Sequence, residues 1–384
     1  MLTSDTFDRD LGYYVCDGIE FPSKINACIY SQKVNKPIDW VFKNYIHDTF
    51  PWQIEPEETL DQLYDRRCRE LREKYDYIIL SYSGGSDSNN ILESFMRQKL
   101  HIDEIVTNHI TKATEKLTVL NPKIKDPWNF NAEHQLQAVP RLKEIHNMLP
   151  RTKITVLDVS DSILTSLDNK EENWVLNRRE GISVGMVFRY NHFYFSEVRK
   201  QFDKNLKICV IIGIDKPRTH IQDNIFYVRF GDTAVNLSSI VDHNEYPNAK
   251  MEYFYWNDPI IVAKQAHVIK HWLEANPQLQ QLWQNVSHET YRKYHEPWLK
   301  NIIYTNWKNE WYQADKALLN WHTEFDQWFH VSMKGTKNYM VWNRGLEYLS
   351  KAASKFIVFN NGRVDGLRTI SHSYKIGEMK TCIS

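Results

Sequence analysis

Tyr77-Ile78-Ile79-Leu80-Ser81-Tyr82-Ser83-Gly84-Gly85-Ser86-Asp87-Ser88 is the stretch that decides the fold. Its first six residues form a short apolar run closing on small side chains, as a strand buried on both faces requires. The next six allow a tight turn. Beyond them Ile91, Leu92, Phe95 and Met96 recur at the i, i+1, i+4, i+5 spacing of one helix face. A strand, a hydroxyl-rich Gly-Gly turn and a helix N-terminus together make an anion site. The glycines admit close backbone approach, the first helical N–H groups lack intrahelical partners, and the helix dipole favours negative charge. A phosphate is the expected guest. The plainer alternative is an ordinary Gly-Gly turn joining a strand to a helix.

Working outward, Leu60, Leu63, Tyr64, Cys68, Leu71 and Tyr75 keep the 3.6 period and predict a helix over 57–75, with its arginines on a solvated face. Strands are expected over 102–108, 153–159 (alternating) and 207–213. A helix over 132–149 is interrupted by Pro140. The spacing between the first two strands suits a right-handed βαβ crossover. The segment Gly213-Ile214-Asp215-Lys216-Pro217-Arg218 follows the last of these strands directly. In doubly wound sheets ligands sit outside the carboxyl ends of the strands, so Gly213 to Arg218 would face the same crevice as the Ser-Gly-Gly turn. The turn contains no lysine, whereas a triphosphate carries about four negative charges. Lys216 and Arg218 could supply the cations, and Asp87 and Asp215 could hold Mg²⁺ through oxygen ligands. A turn closed by a salt bridge is the alternative.

Ser83-Gly84-Gly85-Ser86-Asp87-Ser88 resembles the SGGxDS signature of the PP-loop ATP pyrophosphatases, and the six-residue match is complete. No Gly-x-x-x-x-Gly-Lys-Ser/Thr occurs in the chain, so the turn is not a Walker A loop. The resemblance covers the middle of the chain and implies a parallel, doubly wound, Rossmann-like α/β sheet of the HUP type. It also implies ATP and Mg²⁺ as ligands, with ATP cleaved to AMP and pyrophosphate while a substrate oxygen is adenylated. Ser83, Gly84, Gly85, Ser86, Asp87 and Ser88 would then grip the phosphates. Val106 and Asn108 would lie near the adenine, Asp87 and Lys216 would carry catalysis, and Asp87 and Asp215 the metal. Asparagine synthetases carry a Gly-Glu-Gly-x-Asp-Glu turn where this chain has Gly213-Ile-Asp-Lys-Pro-Arg, which implies different metal geometry or substrate. Leu2 replaces the nucleophilic cysteine of their glutaminase, so an amide ligase of this kind would draw its nitrogen from elsewhere. The acceptor remains unassigned. The alternatives are a sulfur enzyme similar to the phosphoadenylyl-sulfate reductases and a non-catalytic nucleotide- or nucleic-acid-binding module.

Composition sets the remaining limits. With 384 residues and 42% hydrophobic content the chain can bury a sizeable core. Lys and Arg number 48, as do Asp and Glu, so no global field draws the protein to nucleic acid or membrane. Five cysteines without a C-x-x-C pair read as reduced thiols, and no signal peptide or membrane-length apolar run is present, so a cytoplasmic protein is expected. Three regions follow: an N-terminal arm or cap over 1–56, the nucleotide-binding α/β domain over 57–245, and an aromatic, mainly helical region over 246–384. Asp258-Pro259 should cap and open a helix to Ala275. On it His267 and His271 stand four apart without the Glu of H-E-x-x-H, and read as an exposed pair rather than a metal site. Seven of the thirteen tryptophans fall between Trp283 and Trp342. They read chiefly as core packing, with base stacking as the alternative. Asn360-Asn361-Gly362 signals a hairpin turn near the end.

Overall fold

The structure, a computed structural model, describes residues 8–109, 111–112, 134–158, 160, 205–232, 247–284, 286, 294–308, 334–352, 357–358, 364–365 and 369–380. At its centre lies a five-stranded, all-parallel sheet. Its strands are β4 (Tyr77–Ser81), β5 (Glu104–His109), β6 (Lys153–Asp158), β7 (Ile208–Ile212) and β10 (Ala249–Tyr253). The spatial order is β10-β7-β4-β5-β6. The chain starts in the middle at β4, steps outward through β5 and β6, then returns across the sheet to β7 and β10. The reversal therefore falls between β4 and β7, where a doubly wound sheet opens its crevice. Every residue of β7 is buried, as is the interior of β4, so both faces of the sheet are covered. This is the expected Rossmann-like α/β fold.

The helix before β4, α3 (Leu60–Lys74), begins at a capping box in which Thr59 and Gln62 satisfy each other's backbone N–H groups. Its basic face is not simply solvated. Arg67 and Lys74 donate to Glu252 of the edge strand β10 at 3.0 and 2.9 Å, and Arg72 reaches Asp103 at 2.6 Å. Glu252 also accepts from Tyr75 and Asn257. Burial alone would raise its carboxyl, but Arg67, with Tyr75, Lys74 and Asn257, holds it at about 2. Strand β10 lies beyond position 245, where the sequence reading ended the α/β domain. Its alternating Lys250 and Glu252 hide a strand that pairs along its whole length with β7.

Helix α4 (Ser86–Arg97) follows β4. Pro140 does not interrupt the next helix: it sits in the first turn of α5 (Val139–Met148), where its missing N–H is harmless, and a π-helical turn, His134–Ala138, precedes it.

Two smaller sheets dock on this core. The arm forms an antiparallel sheet of β1 (Tyr13–Cys16), β2 (Ile19–Phe21) and β3 (Asp39–Val41), with two helices, α1 (Lys24–Val34) and the single turn α2 (Asn44–His47), that the sequence reading missed. The second sheet joins β8 (Arg218–Gln222), β9 (Ile225–Arg229) and the late strand β13 (Tyr374–Glu378). Asp223 and Asn224, both at positive φ, turn β8 into β9. Aromatic rings weld the arm to this sheet: His47 stacks on Phe230 at 4.4 Å and Trp52 meets Tyr374 at 5.0 Å. β11 (Ile357–Val358) pairs with β12 (Val364–Asp365), and the expected Asn360-Asn361-Gly362 turn lies outside the described residues.

The helix opened by Asp258-Pro259 is α6 (Pro259–Ala275), and Asp258 accepts from the N–H groups of Ile260 and Ile261. Further helices are α7 (Gln280–Gln284), α8 (Glu296–Ile303) and α9 (Lys337–Ala352). Trp283 is fully buried, stacks on His295 at 3.8 Å and donates its indole N–H to Thr219. Trp342 is fully buried as well. These two serve packing, while Trp311, Trp321 and Trp328 lie outside the described residues. No helix among the described residues is long and apolar enough to cross a membrane.

Candidate nucleotide site

The Ser-Gly-Gly turn leaves the carboxyl end of the central strand and runs into the N-terminus of α4. Gly85 occupies the N-cap position, and no side chain caps the helix. The first-turn N–H groups are thus left for a ligand. The turn is braced from within. Ser83 Oγ accepts from the Gly85 N–H at 3.2 Å, and Ser88 Oγ donates to the Gly85 carbonyl at 3.1 Å. Asn89 Nδ2 donates to the Gly84 carbonyl at 2.7 Å, while its own side-chain oxygen accepts from the Tyr82 hydroxyl at 2.6 Å.

Two glycines are needed for space. Gly84 has φ of +80°, and a Cβ there would stand 2.8 Å from the Ala138 nitrogen. A Cβ at Gly213 would stand 3.1 Å from the Ser88 nitrogen and 3.2 Å from the Asp87 carbonyl carbon. The residue after β7 therefore meets the first turn of α4 at backbone distance. Ser83 is exposed and Asp87 partly so, whereas Gly84, Gly85, Ser86 and Ser88 are buried. The approach to the site runs past Ser83 and Asp87.

The close approach at Gly213 brings the following residues over the turn. Lys216, only 2% exposed, donates its ammonium to both oxygens of Asp87, at 3.0 and 2.7 Å. The ring of Tyr304, at the end of α8, lies 5.7 Å from that ammonium, and its hydroxyl donates to Asp87 Oδ1. Tyr255 donates to the Asp87 carbonyl at 2.9 Å and accepts from Asn90 at 3.0 Å. Burial pushes both phenols well above their ordinary value, and the Asp87 carboxylate pushes them further, so they act as donors here.

Asp215 completes the group. Its carboxylate accepts from the Lys216 N–H at 2.7 Å, with the Arg218 guanidinium 3.4 Å away. Removal from bulk water pushes its carboxyl up; Arg218 and Lys216 pull it down, and the charge of Asp87 adds to the rise. Two carboxylates that repel each other beside an uncapped helix N-terminus and a buried ammonium are a donor set suited to a hard divalent cation and a polyphosphate. Arg218 opens strand β8, directly across from Arg229. It therefore belongs to the wall of the site rather than to a free loop.

Of the expected residues, Ser83, Gly84, Gly85, Ser86, Asp87, Ser88, Gly213, Asp215, Lys216 and Arg218 come together. Val106 and Asn108 end up inside β5, which pairs with both β4 and β6. Val106 is fully buried with its carbonyl accepting from the Tyr82 N–H, and Asn108 is 8% exposed. Sequence reasoning missed Tyr255 and Tyr304. They lie 168 and 217 residues from Asp87, and no local pattern links them to it. Neither a protein-family model nor a curated protein matches this chain.

Proposed function

We propose that the chain binds ATP with Mg²⁺ at the β4–β7 crevice and transfers its adenylyl group to an oxygen of a second substrate, releasing pyrophosphate. The reading rests above all on one observation: Lys216 at the end of β7 grips Asp87 in the turn after β4. That contact puts a cation, a carboxylate and an uncapped helix N-terminus in one place. The helix N–H groups would hold the outer phosphates. Lys216 would turn its ammonium from Asp87 toward the pyrophosphate as charge develops there. Asp87 and Asp215 would hold the Mg²⁺, whose part is to neutralise phosphate oxygens and align them. Tyr304 and Tyr255 orient Asp87 from its side-chain and backbone oxygens. The acceptor is a carboxylate or carbonyl compound, and attack by nitrogen or sulfur would release AMP. An amide ligase similar to asparagine synthetase but lacking a glutaminase fits this chemistry, working in a reducing, cytosol-like compartment.

The test is calorimetry of MgATP with the full chain, followed by pyrophosphate release in a screen of carboxylate and carbonyl acceptors. Binding that is lost in Asp87→Ala, with the thermal unfolding of the variant still cooperative, supports the reading. Absence of heat with MgATP, or unchanged pyrophosphate release in Asp87→Ala, overturns it.

A further inference from the structure

The arm and helix α6 bring a carboxylate together with two histidines more than 200 residues later in the sequence. Glu55 lies at the end of the arm, just ahead of α3, while His267 and His271 project from α6 one turn apart. One ligand-capable atom from each lies within 4.8 Å of the others. Contrary to expectation from the sequence, His267 is not exposed; only 6% of it reaches solvent, whereas His271 is half exposed. We propose that Glu55, His267 and His271 form a binding site for a borderline divalent transition metal of the Zn²⁺ class.

The surroundings of each ligand argue for a built site. His267 Nε2 lies 3.0 Å from the Trp52 carbonyl, which can only accept, so this nitrogen carries the proton and Nδ1 keeps the lone pair. His271 Nδ1 faces Glu274 at 3.4 Å, leaving Nε2 toward Glu55 Oε2 at 2.8 Å. Metal-bound imidazoles are oriented in this way, with the second ring nitrogen donating to a carbonyl or carboxylate. Lys264 binds the other oxygen, Glu55 Oε1, at 2.8 Å, and fixes the carboxylate with Oε2 turned to His271. Lys270 is occupied by Glu274 at 2.6 Å, which keeps its ammonium off the histidines.

A tetrahedral ion with bonds of about 2.1 Å sets its ligand atoms about 3.4 Å apart. The 2.8 Å between His271 Nε2 and Glu55 Oε2 opens to that value by rotation of the exposed His271 side chain. Two imidazoles and one carboxylate select Zn²⁺, Co²⁺ or Ni²⁺ over Mg²⁺ and Ca²⁺, and a fourth position is left to water. The ion would tie the arm to α6, independently of any nucleotide.

The experiment titrates Zn²⁺ alone into the chelator-treated full chain, followed by calorimetry and thermal unfolding, with Co²⁺ absorption as a second readout. Wild type should bind one Zn²⁺ at this site with a rise in melting temperature that millimolar-range Mg²⁺ does not reproduce. His271→Ala, at an exposed position, and Glu55→Gln should each weaken Zn²⁺ at least about tenfold. Asp215→Asn should leave it unchanged, which separates this site from the crevice. Equal Zn²⁺ affinity in wild type and both variants, or no stabilisation of wild type by Zn²⁺, overturns the proposal. In that case the three groups are an ion pair and its neighbour, holding the arm without metal.

Discussion

Replacing Lys216 with Met removes the ammonium that Asp87 depends on, while the unbranched side chain still fills its place. At 2.7 Å and an effective dielectric of about 20, the attraction of the pair is about 6 kcal/mol. Much of this is offset by the lost hydration of a lysine only 2% exposed. Unfolding measures something else: the cost of leaving the Asp87 carboxylate with only the Tyr304 hydroxyl donating to it. Removing one partner of a buried pair costs about 3–5 kcal/mol. The Asp87 side chain keeps 20% of its exposure, which places the expectation near the lower end, at about 3 kcal/mol. Urea unfolding at pH 7 of wild type, Lys216→Met, Asp87→Asn and the double variant closes a thermodynamic cycle. The double variant should be more stable than the two single losses add up to, by about 2 kcal/mol. A Lys216→Met variant within about 0.5 kcal/mol of wild type would place the pair in the surface class and refute the reasoning. Strict additivity in the cycle would do the same.

Gly84→Ala should destabilise by about 2 kcal/mol or more in the same assay, since the new Cβ meets left-handed strain and the Ala138 nitrogen at 2.8 Å. A neutral result would mean that the turn adopts another conformation. Tyr304→Phe should cost about 1.5–3 kcal/mol through the lost hydrogen bond to the Asp87 carboxylate, and an unchanged urea midpoint would remove that bond. Acid should unfold the protein early. Burial holds His47 at about 3 and His220 and His295 at about 4, all below the ordinary 6.5. Because these folded values lie below the unfolded one, their stability is complete above pH 6.5 and falls as pH drops from there toward 4. The slope is up to about 1.4 kcal/mol per pH unit for each histidine. Glu252, depressed to about 2 from 4.5, adds a contribution that is present above pH 4.5 and lost as pH falls toward 2. Urea midpoints that stay flat from pH 7 to 5 would contradict the histidine part.

How much was legible varied by element. The strand-turn-helix at 77–97, strand β7 and the cap at Asp258 each carry their signal within about a dozen neighbouring residues, through apolar runs, glycines and a capping side chain. Strand β8 buries Thr219 and His220, and β10 buries Glu252, where a strand pattern would require apolar side chains. Glu252 in β10 is accommodated because Arg67 and Lys74 of α3 neutralise it, while Lys250 stays exposed. Pro140 reads as a helix break in isolation and as a first-turn residue once the π-helical turn before it is known. His267 and His271 give the same lesson, since the Trp52 carbonyl that meets buried His267 and the Glu55 carboxylate that meets His271 both come from the arm.

The sequence alone determined the chemistry of the turn after the central strand: hydroxyls, two glycines and an aspartate at the start of a helix, with a lysine waiting after a later strand. Those properties are local, set by backbone freedom, side-chain type and the direction of the helix dipole. Only the tertiary structure decided that β7 returns to the side of β4, that Gly213 lets the end of β7 touch the first turn of α4, and that Lys216, Tyr255 and Tyr304 converge on Asp87. Those outcomes depend on which surfaces bury one another, a property of the whole chain that no short window encodes.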